Sequence, residues 1–198
     1  DVGNPPSPTD VEDPPGSGNR VKPYQSPDIR VDAPPFGDAA HENPVAGVAN
    51  HVYVTAHNRG SNAAAVLTDV NLHIAQATGG APPFPGAAWT LIGTESGSVP
   101  GQEGEVTLMF TWDVPLDAPR HTCALAMANA VGDPAPVPGA ELAAFVRNNN
   151  NVAWKNLHVV RLGLIEGDIS NFQQATVPIV LRIEAAGVPL GTNFVLTH

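Results

Sequence analysis

Hydrophobic and polar residues alternate over much of this chain with the period of two that is typical of half-buried β-strands. The alternation is clearest at residues 50–57, which end in the turn-forming tripeptide Asn58-Arg59-Gly60. The two sides of this run are an apolar one, with Val52, Val54 and Ala56, and a polar one, with His51, Tyr53, Thr55 and His57. The pattern predicts a strand that turns one face towards the protein core.

A second alternating run follows at residues 66–74 and is separated from the first by a loop of Gly, Asn and Ser. One side of this run carries Val66, Thr68, Val70, Leu72 and Ile74, and the other carries Asp69, Asn71 and His73. Two such runs joined by turn residues are typical of an antiparallel β-hairpin, which is the pairing that we predict.

Further short runs predict the rest of an all-β fold. Strands are expected at 26–32, at 89–93, at 106–112, around Cys123 and at 152–160. In the last of these the apolar parity changes near Lys155 and Asn156, which predicts a β-bulge. An apolar cluster within 139–147 predicts a short helix. About seven strands separated by turns predict an immunoglobulin-like antiparallel β-sandwich.

Composition divides the chain into three regions. Residues 1–23 are rich in Pro, Gly, Ser and Asp and predict an extended arm or linker, whereas residues 24–162 hold the sandwich strands. Residues 163–198 contain too few strands to protect an apolar face, so we expect a partial β-domain that docks on a partner. The residues expected at that interface are Ile179, Leu181, Ile183, Phe194 and Leu196.

The charge balance excludes several classes of partner. The chain has 9 basic and 19 acidic residues and a net charge of −10, and it lacks the basic stripe of a nucleic-acid-binding protein. The sequence has no apolar stretch of about 18 residues, so neither a transmembrane helix nor a signal peptide is expected. Because the chain begins at Asp1, we expect a processed protein or a part of a longer one.

Candidate chemistry along the chain is sparse, and no catalytic residues are predicted. Cys123, the only cysteine, lies in an apolar run where a free thiol packs as a small hydrophobic group. His51 and His57 are six residues apart, about 20 Å along a strand, which is too far to share one ion. No cofactor is expected; the alternative is Ca²⁺, since loop carboxylates supply its preferred oxygen ligands. The calcium candidates are Asp28, Asp32, Asp38 and Glu42.

The three tryptophans separate into two groups. Trp112 and Trp154 fall at inward positions of predicted strands, so core packing accounts for them. Trp89 follows a loop rich in Pro and Gly, and we expect it to be exposed, as a residue that contacts a ligand such as a glycan.

Taken in order, these segments resemble a bacterial extracellular immunoglobulin-like module of the CARDB (cell-adhesion-related) type. The resemblance covers about residues 24–162 and is carried by Ser26-Pro27-Asp28-Ile29, Asn50-His51-Val52-Tyr53-Val54, His57-Asn58-Arg59-Gly60, Pro100-Gly101, Trp112, His121-Thr122-Cys123-Ala124-Leu125-Ala126 and Asn149-Asn150-Asn151-Val152-Ala153-Trp154-Lys155-Asn156. Modules of this type are non-catalytic parts of secreted or surface proteins, so the resemblance transfers no catalytic residues.

The sequence therefore predicts a non-enzymatic structural or adhesive module of a bacterial secreted or cell-surface protein. The expected partners are proteins, either other domains of the parent chain or copies of the chain itself, through strand exchange, oligomers or filaments. The alternative is an accessory domain of a secreted hydrolase that binds carbohydrate or substrate near Trp89.

Overall fold

The computed structural model describes residues 24–58, 64–77, 80–135 and 141–161. These residues form seven β-strands and one short helix. In chain order the elements are β1 (Ile29–Asp32), β2 (Ala49–His57), β3 (Ala65–Gln76), β4 (Trp89–Val99), β5 (Glu105–Asp113), β6 (His121–Ala130), α1 (Leu142–Arg147) and β7 (Val152–His158). Within the described residues, no helix has the length and apolarity needed to cross a membrane. The predicted arm at 1–23 and the predicted partial β-domain at 163–198 lie outside this part of the chain.

The strands form two antiparallel sheets. One sheet has the order β1-β2-β5 and the other has the order β4-β3-β6-β7. In immunoglobulin constant domains a four-stranded sheet packs on a three-stranded one, and the fourth strand lies in the same sheet as the first, second and fifth. Here the fourth strand, β4, pairs with β3 and so belongs to the sheet of β3, β6 and β7. The chain is thus an all-β, immunoglobulin-like sandwich, and the predicted fold class is confirmed.

The predicted pairing of the first two long runs was wrong. β2 pairs with β1 and β5, while β3 pairs with β4 and β6, so the two runs lie in opposite sheets. Both runs do turn an apolar face inward, and these faces meet across the core instead of lying side by side. Alternation reports which face is buried, but it does not identify the strand that supplies the hydrogen bonds.

The inward face of β3 changes parity near its start. Val66 is 53% exposed whereas Leu67 is 5% exposed, which reverses the predicted orientation of Val66 and Thr68. The register with both neighbouring strands shifts between Leu67 and the residues at 69 and 70. This irregularity resets the alternation, so that Val70, Leu72 and Ile74 face inward as predicted.

Residues 122–126 of β6, within the four-stranded sheet, are buried on both faces. Ala124 and Ala126 of β6 face the core between the sheets, whereas Cys123 and Leu125 belong to a second apolar cluster. We call this second cluster the outer core; it contains Ala75, Ala77, Phe84, Trp89, Cys123, Leu125, Leu142, Phe145, Val146, Val152 and Trp154. Helix α1, which the sequence predicted, therefore supplies part of the cover for the sheet's outer face.

The outer core also explains the parity change in β7. Trp154 pairs with Leu125 and Asn156 pairs with Cys123 in an unbroken register, so the predicted β-bulge is absent from this strand. Trp154 belongs to the outer core, while Leu157 belongs to the core between the sheets. The apolar parity changes because both faces are buried, and no extra residue is inserted.

Candidate functional site

The edge of β1 that does not pair with β2 is covered by the loop that follows β1. The backbone N–H of Val31 donates to Nδ1 of His41 at 3.1 Å, and the N–H of Ala33 donates to Oε2 of Glu42 at 2.7 Å. The N–H of Glu42 in turn donates to the carbonyl oxygen of Val31 at 2.9 Å. These bonds occupy backbone groups that another strand would otherwise pair with.

The edge of β7 is also covered, by the segment that precedes β1. The N–H of Ser26 donates to the carbonyl oxygen of Trp154 at 3.1 Å, and the N–H of Asn156 donates to the carbonyl oxygen of Tyr24 at 2.9 Å. The Lys155 ammonium donates to the carbonyl oxygen of Ser26 at 3.0 Å. On the side of the sandwich formed by β1 and β7, both sheet edges are therefore closed.

The opposite side of the sandwich, formed by β4 and β5, is different. In the part of the chain that the structure describes, β4 pairs only with β3, and β5 pairs only with β2. A groove of about 640 Å³ opens between these two edges. We call it the β4–β5 groove; it is lined by Ile74, Gln76, Ala87, Ala88, Thr90, Leu91, Ile92, Thr111, Trp112, Asp113, Pro115, Ala118 and Thr122.

The lining of the β4–β5 groove combines apolar and polar surface. Buried Ile74 and Trp112 line it, and Leu91 is 51% exposed beside them. Asp113 is the one charged residue in the lining, and the other polar groups are hydroxyls and the amide of Gln76. A groove of this volume, with apolar side chains beside polar groups, offers space and contacts for a bound segment.

The sheets close together along the remainder of β4. A Cβ atom added at Gly93 would lie 3.3 Å from Cδ1 of Phe110, and one added at Gly97 would lie 3.4 Å from Cδ2 of Leu108. Side chains of β5 thus occupy the space that the two glycines leave. Both glycines lie beyond the Thr90–Ile92 stretch of β4 that lines the groove.

Trp89 does not have the exposed position that the sequence predicted. It is 9% exposed and belongs to the outer core, with its ring 5.5 Å from that of Phe84 in an edge arrangement. Its indole N–H donates to the carbonyl oxygen of Pro82 at 3.3 Å. The Pro/Gly loop folds over the indole, so the expectation of exposure was wrong, and ligand binding at Trp89 stays an untested prediction.

The four calcium candidates have separate local partners. Asp32 is buried and its Oδ2 accepts the N–H of Gly37, whereas Glu42 accepts from Ala33. Asp38 accepts the N–H of Ala40, and Asp28 lies 3.1 Å from Nε2 of His57. Within the described residues, no three His, Cys, Asp or Glu side chains are grouped to hold a metal ion. Calcium binding therefore remains only a prediction from the sequence.

The polar side of β2 forms contacts among its own neighbours. His51 stacks on Phe36 with ring centroids 4.0 Å apart, and the guanidinium of Arg30 lies 4.1 Å above the ring of Tyr53. His57 is 3.5 Å from Glu105 in addition to its contact with Asp28. These contacts place no nucleophile beside a base.

Cys123 is buried as predicted. Its thiol donates to Oδ1 of Asn156 at 3.3 Å, and burial raises the pKa of the thiol. A raised pKa reduces the thiolate fraction that nucleophilic chemistry needs.

Sequence reasoning missed the β4–β5 groove and the residues that line it. Leu91, Ile92 and Asp113 carry no motif, and the one local signal was that Leu91-Ile92 interrupts strict alternation. The predicted interface residues Ile179, Leu181, Ile183, Phe194 and Leu196 lie outside the described residues, and their role stays a prediction.

We expect acidification from pH 7 to pH 4 to weaken the fold through His41. Burial, followed by the charges of Lys155 and Arg30, lowers the pKa of His41 from 6.5 to about 4. Since the folded pKa lies below the unfolded one, the stabilisation is present above pH 6.5 and is lost as the pH falls towards 4. The residue is partly open to solvent, so screening limits the loss to about 1 kcal/mol.

The measurement is urea unfolding at pH 7 and at pH 4, for the wild type and for His41→Gln. Carboxylates titrate in both proteins, so the difference between the two pH dependences isolates His41. Equal losses of unfolding free energy in the two proteins would show that His41 does not couple to folding.

Comparisons with known proteins give solved structures only. No family model matches the chain, and no curated protein sequence matches it. The crystal structure of the CARDB domain of a Pyrococcus furiosus protein, in complex with di-metal ions, is 20% identical and covers 70% of this chain and 97% of that one, with a TM-score of 0.38. A solution NMR structure of the same domain is 20% identical and covers 69% and 98%, with a TM-score of 0.36.

The sporulation control protein Spo0M of Bacillus subtilis is also similar in structure. It is 17% identical, with 68% of this chain and 50% of that chain covered and a TM-score of 0.32. The Pyrococcus furiosus structures are of the CARDB type that the sequence resembles.

Proposed function

We propose that this chain is a non-catalytic, protein-binding module of a bacterial secreted or cell-surface protein. The module binds an extended polypeptide segment of its partner along the β4–β5 groove. One observation carries this proposal: the edges of β1 and β7 are covered by other parts of the chain, whereas β4 and β5 have no such cover among the described residues and border a groove that exposes some apolar surface.

The physical basis is pairing at a sheet edge. An edge strand presents a row of N–H and C=O groups that an added strand can bond, and alternate side chains of that strand then fill pockets. Proteins often block such edges with Lys or Pro, and β4 contains neither, since its sequence is WTLIGTESGSV. At 11 residues, β4 is long enough to pair with a whole strand.

The partner strand comes from a different domain or protein in this proposal. Copies of one chain with a net charge of −10 repel one another, and that repulsion opposes self-association. A monomer in light scattering is therefore expected, and formation of a dimer that Leu91→Lys abolishes would point instead to a second copy. Binding of a partner strand is enough for a structural or adhesive role, because such a role requires no chemical reaction.

Binding can be tested with an acetylated, amidated peptide of sequence Ser-Thr-Val-Thr-Leu-Thr-Val-Thr-Ser, titrated into the ¹⁵N-labelled chain. We expect amide shifts confined to residues 89–95 and 111–118. Leu91→Lys places an ammonium group at the groove and should weaken binding about tenfold, since edge lysines oppose strand pairing.

Val66→Lys is the matched control, because Val66 is 53% exposed and Leu91 is 51% exposed, both on the four-stranded sheet. Val66 does not line the groove, so this variant should bind the peptide as the wild type does. Shifts at the edges of β1 or β7, or equal losses in the two variants, would contradict the proposal.

A further inference from the structure

We infer that the β4–β5 groove selects a particular kind of strand: one with a large apolar side chain followed, on the same face, by a Lys or Arg that pairs with Asp113. This inference rests on the proposed function and names the partner's chemistry at the same site.

The apolar part of this selection comes from the groove's floor. Ile74, Trp112 and Ala118 are buried, yet each contributes surface to the lining. Ala87 and Ala88 line it as well, and their short side chains leave it wide. An incoming Leu or Phe side chain would therefore contact hydrophobic surface on both sheets, and burial of such a side chain favours binding.

The charged part comes from Asp113, the last residue of β5. Its side chain is exposed, and it forms no hydrogen bond or ion pair with any residue that the structure describes. Asp113 is the only charged group among the lining residues, so nothing in the lining neutralises it. A cation on a bound strand would supply the missing partner.

Arg161 is a cation held against the loop that borders the groove, and its guanidinium is already engaged. Its Nε donates to the carbonyl oxygen of Ala118 at 3.0 Å, and a terminal nitrogen donates to the backbone carbonyl oxygen of Asp117 at 2.5 Å. These bonds hold the guanidinium on the backbone of the loop that forms one wall of the groove. Arg161 therefore does not take the place of a partner's cation at Asp113.

The overall charge of the chain acts in the same direction. A net charge of −10 attracts a cationic segment at long range, which raises the association rate. On β4, Glu95 is exposed and also lacks an ion pair with any described residue. An acidic strand would meet repulsion from both carboxylates.

Three peptides test this selectivity. They share the neutral sequence given above, except that the residue two positions after Leu is Arg, Gln or Glu, so that it shares a face with Leu. We expect the Arg peptide to bind about fivefold tighter than the Gln peptide, and the Glu peptide to bind more weakly than both. The Arg advantage should shrink between 50 and 500 mM NaCl, because salt screens an exposed pair.

Asp113→Asn should remove the difference between the Arg and Gln peptides. Asp117→Asn is the matched control: Asp117 is an exposed carboxylate on the adjacent loop that does not line the groove, so its variant should keep the difference. If all three peptides bind wild type equally, or if the two variants behave alike, the charge selection is wrong while strand binding stands. If no peptide binds, the proposed function fails as well.

Discussion

Replacing Asn50 by alanine is expected to lower the free energy of unfolding by about 3 kcal/mol, because the change strands the buried N–H and C=O groups of Val45 and removes one of the two donors to the carbonyl oxygen of Val48. Asn50 is fully buried, at 0% exposure. Its Oδ1 accepts the N–H of Val45 at 2.9 Å, and its Nδ2 donates to the carbonyl oxygens of Val45 and Val48, each at 2.9 Å. Alanine can replace none of these bonds.

The effect should spread beyond the loop that Asn50 braces. The N–H of Ala46 donates to the carbonyl oxygen of Val160 at 2.9 Å, and the N–H of Gly47 donates to the carbonyl oxygen of Val114 at 2.8 Å. Residues 45–48 thus join the end of β5 to the chain that follows β7. Loosening this loop weakens a junction between the two sheets.

Urea unfolding followed by tryptophan fluorescence gives the measurement for Asn50→Ala. Asn43→Ala is the control, since Asn43 is an exposed asparagine with no hydrogen bond to a described residue, and it should change stability by less than about 0.5 kcal/mol. A loss below about 1 kcal/mol in Asn50→Ala would mean that water or a shifted loop satisfies the stranded groups.

Asn50 also shows what alternation can and cannot reveal. Its parity places it on the apolar side of the run with Val52 and Val54, so an inward orientation follows from the sequence. The groups that it bonds belong to a loop upstream, and no period along the strand identifies them. A buried polar residue is therefore visible as an exception to the pattern, whereas its role requires the tertiary structure.

Local patterns predicted β2, β5 and α1 because the pleat and the helical turn act over a few residues. They failed where a distant element decides the outcome. β2 and β3 separate into two sheets, and Leu67 replaces Val66 on the inward face. Both facts depend on neighbouring strands that the alternation within one run does not specify.

The candidate site was hidden for the same reason. The edges of β1 and β7 are covered because His41, Glu42 and residues 24–26 reach strands that are distant in the sequence. The β4–β5 side can be identified as the uncovered one only after these tertiary contacts are known. Trp89 was expected to be exposed because a Pro/Gly loop precedes it, but that loop folds back and bonds its indole. Composition predicted a loop there but not its path.

The outer core was the largest feature that the sequence did not predict, although β6 carried a signal for it. Residues 122–126 are buried without interruption, and this run of Thr, Cys, Ala, Leu and Ala does not alternate in polarity. A continuous apolar run is expected of a strand that is covered on both faces. In an antiparallel sandwich the outer face is commonly solvated, so the run alone indicates an ordinary core strand.

Leu125→Ala tests whether the outer core stabilises the fold as a true core does. Leu125 is 0% exposed and clusters with Phe145 and Val146 of α1 and with Trp154 of β7. Truncation removes buried methyl groups and leaves a cavity, so we expect a loss of about 3 kcal/mol in unfolding free energy. If α1 only rested loosely on the sheet, it would collapse into the space and the loss would be near 1 kcal/mol.

The matched comparison for Leu125→Ala is Met109→Ala, on the outer face of the three-stranded sheet, where Met109 is 47% exposed. No helix covers that face among the described residues, so the control should cost less than about 1 kcal/mol. The double variant Leu125→Ala/Phe145→Ala should lose less stability than the sum of its single variants, because the first cavity already weakens the packing of α1. Additive losses, or equal costs for Leu125→Ala and Met109→Ala, would show that α1 and the sheet do not form one core.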